Sequence, residues 1–166
     1  MEVWDPDIVE PHNIPTQLYR LDDVGRPKVQ ALKEMIRQFI GANIQVNQRR
    51  WAPPVDIDAV YISGVDSMEA RQEIWAGMKV LPPKLYIDGR MGALVSRIFA
   101  VTPEQAERYE QTLPNEGTVN EPCTARATFF TGAGISAVIG SLLFRFLRNE
   151  PIPFETTVHW GTMEVM

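Results

Sequence analysis

Apolar positions in this chain switch between two periods, and the switches divide it into strands and helices. Glu2-Val3-Trp4, stopped by Asp5-Pro6-Asp7, predicts a short strand. Pro11 and Pro15 mark the loop that follows. Gly25-Arg26-Pro27-Lys28 opens a helix, with Pro27 suited to the first helical position. Val29, Leu32, Ile36, Phe39 and Ile40 form its apolar face, and Gly41 is the expected C-cap residue. Ile44-Gln45-Val46 alternates as a strand does, and Ala59 to Ser63 reads as a buried strand entering Gly64-Val65-Asp66-Ser67. A helix is predicted over Met68 to Met78, closed by Pro82-Pro83, and Lys84 to Asp88 is the next clear strand. A strand pair follows around Gly89 to Val101. Thr102-Pro103-Glu104 has the chemistry of a helix start, so Glu104 to Leu113 is expected to be helical.

Residues 114–122 read as loop, and Arg126 to Phe130 as a strand or extended segment. Gly134 to Arg148 carries the strongest helical pattern, with Ile135, Val138, Ile139, Leu142, Leu143, Phe146 and Leu147 on a wide apolar face. Phe154 to Met166 has strand character. Strands alternating with helices predict an α/β fold with a mostly parallel sheet flanked by helices. Ligands of such folds sit beyond the C-terminal ends of the strands. Asp7, after the first strand, and Asp66, after the strand at 59–63, fall at that level.

Composition narrows the function classes. The chain has 166 residues, 45% hydrophobic and 22% charged, which fits one folded domain. Its 16 basic and 21 acidic residues give a net charge of −5, which argues against a partner bound through a nucleic-acid backbone. One cysteine, Cys123, excludes an internal disulfide and a Cys-rich zinc site. His12 and His159 stand too far apart in sequence to mark a metal motif. The longest apolar run, Ile135 to Leu147, falls short of the ~18 residues of a membrane span, so no membrane partner is expected. The first residues do not form a signal peptide, and a reducing cytoplasm is the default compartment.

One ordered set of motifs is more specific. Asp5-Pro6-Asp7-Ile8-Val9-Glu10-Pro11-His12-Asn13-Ile14-Pro15-Thr16-Gln17, followed by Val24-Gly25-Arg26-Pro27-Lys28, resembles the D-x-D-x-V…N-L-x-R-Q…V-G-x-x-K pattern of the ubiquitin-activating-enzyme-like family of ThiF, MoeB and HesA proteins. Ser63-Gly64-Val65-Asp66-Ser67 with Arg71, then Asp88-Gly89-Arg90-Met91-Gly92, resemble its next two strand ends. Glu121-Pro122-Cys123-Thr124-Ala125-Arg126 resembles the P-x-C-T-x-R segment of the eukaryotic members.

The resemblance implies a Rossmann-like fold and Mg-ATP-dependent adenylation of the C-terminus of a ubiquitin-like or sulfur-carrier protein, by a homo- or heterodimer. It assigns Asp7 to the ribose, Asn13 and Gln17 to the phosphates, and Lys28 to charge developing on the phosphates. Asp66 would hold magnesium, and Cys123 would form a thioester. Arg71 and Arg90 read as structural ion-pair residues.

Two departures matter. Thr16 stands where the family pattern has an arginine, leaving Arg20 or Arg26 as replacements. Asp7 is only seven residues from the start, whereas a ribose acid lies roughly 20 residues after its Gly-rich loop. The family's first strand, Gly-rich loop and helix are therefore expected upstream of Met1. A non-catalytic binding or partner-subunit module is the first alternative. A nicotinamide-dinucleotide oxidoreductase using Gly132 and Gly134 of Thr131-Gly132-Ala133-Gly134-Ile135-Ser136-Ala137 is the second. Against it, only 29 residues follow Ala137, too few for the rest of a nucleotide-binding half.

Overall fold

A computed structural model of the chain describes residues 1–92, 94–113 and 129–166. Residues 1–166 read from sequence as a single domain lacking the family's first strand and helix; the chain groups into two compact units, Met1–Ala52 and Pro53–Met166.

The first unit is one parallel crossover. Strand β1 (Glu2–Trp4) leads through 3-10 turns at Pro11–Asn13 and Leu21–Asp23 into helix α1 (Lys28–Ile40) and then strand β2 (Gln45–Asn47). β1 and β2 pair in parallel, Glu2 opposite Gln45 and Trp4 opposite Asn47. Gly41 ends α1 as expected, at φ 70°, where its N–H reaches the Arg37 carbonyl. Only the first turns of α1 are buried, through Val29 and Ala31. Phe39 and Ile40, expected on the buried face, are exposed. Two strands of three residues are too short to cover a helix of 13 residues along its length.

The second unit holds strands β3 (Val60–Ser63), β4 (Leu85–Met91), β5 (Val95–Val101), β6 (Glu155–His159) and β7 (Glu164–Val165) in that spatial order. Helix α2 (Met68–Met78) connects β3 to β4, which pair in parallel. The mostly parallel sheet expected from sequence is realised in the β1–α1–β2 and β3–α2–β4 crossovers. Beyond β4 the five-stranded sheet turns antiparallel through β5, β6 and β7. The reason is the connection: Gly92 donates to the Val95 carbonyl at 2.8 Å, a turn far too short for a crossover. The strand at 59–63 was expected to be buried. Within the five-stranded sheet it is an edge, and Ile62 is 52% exposed.

Alternation along β4 and β5 sorts two layers. Leu85, Ile87, Ile98 and Ala100 face Ile135 and Leu142 of helix α4 (Phe129–Leu147). Gly89 lies on that face, where an added Cβ would come 3.1 Å from Ile135 Cδ1. The opposite face packs Tyr86 and Phe99 with Trp75 of α2 and Tyr109 of helix α3 (Ala106–Glu110). Trp75 meets Tyr109 edge-on at 4.6 Å between ring centres.

Helix α4 corrects three expectations. It includes Phe129 and Phe130, which are helical and not extended, while residues 114–128, with the expected loop and the rest of the extended segment, lie outside the described residues. Its mean hydropathy is 1.6 over a stretch long enough to cross a membrane, because the helix adds six residues ahead of the Ile135–Leu147 run and its serines and glycines cost little. Here its inner face covers β4 and β5, while Phe144 and Leu147 stay exposed. Third, Gly132 and Gly134 sit inside the helix, not in a strand-to-helix loop. An added Cβ at Gly134 would lie 2.0 Å from Trp160 Cη2, so this glycine admits an indole. The dinucleotide reading loses its loop.

Candidate functional site

In the first unit the sequence-predicted residues lie on the segment between β1 and α1. The chain doubles back on itself there: Val9 N donates to the Arg26 carbonyl, Gly25 N to Val9, and Lys28 N to the Asp7 carbonyl, at 2.8–2.9 Å. Gly25 turns the chain at φ 86°, a conformation that favours glycine. This ladder brings residues 7 and 28 side by side. Lys28 Nζ donates to Asp7 Oδ2 at 2.9 Å. The lysine side chain is only 14% exposed and the aspartate 60%, so a covered stem delivers the ammonium to a solvent-facing carboxylate. Asp7 N is itself held by Asp5 Oδ1 at 2.8 Å. The result is an exposed acid and a fixed cation at the C-terminal end of a parallel strand.

Asn13 is buried, and its Oδ1 accepts from Glu10 N at 2.9 Å. Its carbonyl accepts from the backbone of Thr16 and Gln17. Asn13 therefore shapes the turn, as a loop-satisfying asparagine does, while Gln17 stays exposed beside it. Thr16, at the arginine position of the pattern, donates its hydroxyl to the Asn13 carbonyl at 3.3 Å. Neither substitute arginine is free. Arg20 donates to Gln38 Oε1, and Arg26 donates to both Asp23 and Glu34, each at 2.7 Å. These pairs line a shallow depression against α1.

Tyr19 was not singled out from sequence. Burial first, then the carboxylates of Asp5, Asp23 and Asp7, push its phenol up to about 12. It stays a protonated donor in an acidic field.

In the second unit Asp66 is exposed, between β3 and the start of α2. Ser67 caps that helix, its Oγ accepting from Ala70 N at 3.1 Å. Arg71 and Arg90 act as the ion-pair residues expected. Arg71 Nε and Arg90 Nε each reach Asp88 at 2.7 Å, on separate oxygens, and Tyr109 OH donates to the second at 2.8 Å. Asp88 is fully buried. Burial works to lower the Arg90 guanidinium, but the Asp88 carboxylate outweighs it, and the group ends above its ordinary value. Burial, ahead of the charges around it, holds the Tyr109 phenol far above its usual range. The sequence did carry a signal for Asp88: an acid inside an apolar strand, on the Tyr86 side of the pleat, demands a buried cation.

Among the described residues no group of three metal-ligating side chains exists. Asp66 is suited to a metal shared with a ligand's phosphates, not to a closed cage. Cys123 and Arg126 lie outside the described residues.

A ThiF family model matches residues 1–159, which takes in both units. The chain belongs to the ThiF family. No curated protein sequence matches it closely. Among solved structures the fold is similar to PaaA, at 15% identity and a TM-score of 0.67, over 98% of this chain and 62% of that one. It is similar also to E. coli MccB with AMPCPP and MccA, at 13% identity and 0.70, over 99% and 54%. MccB with ATP matches at 10% and 0.67, over 99% and 54%. This ThiF-family chain thus spans about half the length of the MccB chains it matches.

Proposed function

We propose that this chain belongs to an ATP-dependent adenylating enzyme acting on the terminal carboxylate of a ubiquitin-like protein, a sulfur carrier or a peptide. The observation that carries the reading is the pairing of Asp7 with Lys28 at 2.9 Å across 21 residues of sequence, in a chain of the ThiF family. MccB, whose fold is similar, has been solved with ATP and with the MccA peptide, which supports the choice of nucleotide and substrate class.

In this reading the substrate carboxylate, already ionised, attacks the α-phosphorus in line and needs no general base. Pyrophosphate leaves as the acyl adenylate forms. Lys28 would give up Asp7 for the phosphates and neutralise charge on the non-bridging oxygens, while Asp7 turns to the ribose hydroxyls. Asp66 would hold Mg2+, which supplies Lewis-acid charge neutralisation when bound. A thioester on Cys123 would follow by thiolate displacement of AMP from the acyl adenylate.

The test is calorimetric titration of Mg-ATP into the full chain. Micromolar binding that Asp7→Ala and Lys28→Ala each weaken by tenfold or more supports the reading. Binding unchanged in both refutes it. A second reading, a non-catalytic docking module, is favoured by one observation: Thr16 replaces the phosphate-side arginine, while Arg20 and Arg26 are engaged with α1 and the turn before it. It predicts no nucleotide binding together with capture of a ubiquitin-like protein by the full chain.

A further inference from the structure

We propose that Arg71, oriented by the buried Asp88 carboxylate, is the positioning residue for Asp66. The inference rests on the reading of Asp66 as the metal-side acid and goes beyond it to what fixes that acid in place.

One guanidinium makes four contacts. Arg71 Nε donates to Asp88 Oδ1 at 2.7 Å. Nη2 donates to the Val65 carbonyl at 2.7 Å and, more weakly, to Gly89 at 3.3 Å. Nη1 donates to the Ser67 carbonyl at 3.3 Å. Val65 and Ser67 are the two neighbours of Asp66, so the same planar group anchors the peptide carbonyl on either side of it. Asp66 itself is exposed, between two residues whose carbonyls Arg71 holds.

The clamp needs its own anchor, because a guanidinium on a flexible stem is free to choose other acceptors. Asp88 supplies it. Its side chain is wholly buried, and Arg90 and Tyr109 occupy its other oxygen. Oδ1 is thereby left to Arg71. The planar fork matters as well as the charge. A lysine keeps the positive charge but presents a point donor that cannot span Asp88 and both loop carbonyls.

The test uses the full chain with Arg71→Lys, Tyr109→Phe, Asp66→Asn and the double variant Arg71→Lys/Asp66→Asn. Asp88→Asn is avoided as the main probe because stranding the buried Arg71 and the partly buried Arg90 invites misfolding. The first readout needs no nucleotide: NMR order parameters for the amides of Val65, Asp66 and Ser67. In Arg71→Lys they are expected to fall from about 0.85 to below about 0.6. In Tyr109→Phe they stay at the wild-type value although the protein is less stable, which separates positioning from general weakening. Unchanged values in Arg71→Lys overturn the proposal. The second readout is Mg-ATP affinity. Arg71→Lys and Asp66→Asn should each weaken it about tenfold, and the double variant should bind no worse than Asp66→Asn. Losses that multiply overturn positioning through Asp66. Wild-type protein that binds no Mg-ATP refutes the adenylation reading, while the order parameters still decide the role of Arg71.

Discussion

Replacing Gly134 by alanine should change the stability of this protein with opposite sign in two backgrounds. In the native chain the new Cβ would meet the Trp160 ring at 2.0–2.6 Å. The indole is held there by its Nε1, which donates to Ser96 Oγ at 2.9 Å, so it must leave as a unit. Ser96 is fully buried and loses its partner, at a cost of roughly 1–3 kcal/mol. Re-exposing half of an indole that buries about 150–250 Å2 costs about 2 kcal/mol more at about 25 cal/mol/Å2. Against this, alanine in place of glycine inside a helix stabilises by about 1 kcal/mol. The net expectation is a loss of roughly 2–4 kcal/mol. With Trp160→Ala already present, the clash and the hydrogen bond are gone and only the propensity gain of about 1 kcal/mol remains. Urea unfolding followed by far-ultraviolet circular dichroism measures all four chains without relying on the tryptophan signal. A Gly134→Ala variant that destabilises both backgrounds equally would refute the packing argument and reopen a backbone role for the glycine.

Further expectations concern protons and a cap. Burial first, then the Asp88 charge, raises Tyr86 from 10.0 to about 12, so the folded chain keeps a proton the unfolded chain has released. Stability from this group is intact below pH 10 and lost between pH 10 and about 12, roughly 2–3 kcal/mol at about 1.36 kcal/mol per pH unit. Phenolate absorbance should rise together with unfolding, and Tyr86→Phe should move that loss to higher pH. The Arg97 hydrogen bond, against burial, holds Glu155 below its ordinary value. Glu155→Gln should therefore cost about 0.5 kcal/mol at neutral pH. The thermal curves of the two proteins should converge as pH falls through the carboxylate range. Ser67→Ala removes the cap of α2 and should cost about 1 kcal/mol in chemical denaturation.

Local chemistry made much of this fold readable. Gly41 ends α1 and Ser67 starts α2 because a left-handed cap and a hydroxyl acceptor are written in single residues. Met68–Met78 was legible to the residue, since its boundaries are a cap and a proline loop. Other features depended on contacts that a hydrophobic pattern does not carry. The antiparallel turn of the sheet follows from Gly92 closing on Val95, whereas the pattern suggested a strand over Lys84–Asp88 and then a pair around Gly89–Val101; Gly89 instead continues β4. The purpose of Gly134 is set by Trp160, 26 residues away, and a dinucleotide-like spacing pointed elsewhere. At the site, the motif singled out Asp7 and Lys28 as separate contacts to a nucleotide, and their pairing at 2.9 Å came from the ladder that folds residues 7 and 28 together. Asn13 was assigned to phosphates, but its Oδ1 is already bonded to the Glu10 backbone, a competition that the residue type alone does not reveal.

The Asp88 network also restricts how this sequence can change. Losing Arg71 or Arg90 alone leaves the buried carboxylate short of a counter-charge, and losing Asp88 alone strands the buried Arg71 and leaves the partly buried Arg90 without its partner. Each single step passes through a barrier of roughly 3–5 kcal/mol, comparable to the whole stability margin of many domains. A concerted exchange to apolar residues of similar volume has no such barrier, because no charge is then left behind. Positions 71, 88 and 90 are therefore coupled: substituting any one alone costs stability, whereas exchanging all three together for apolar residues of matched volume does not.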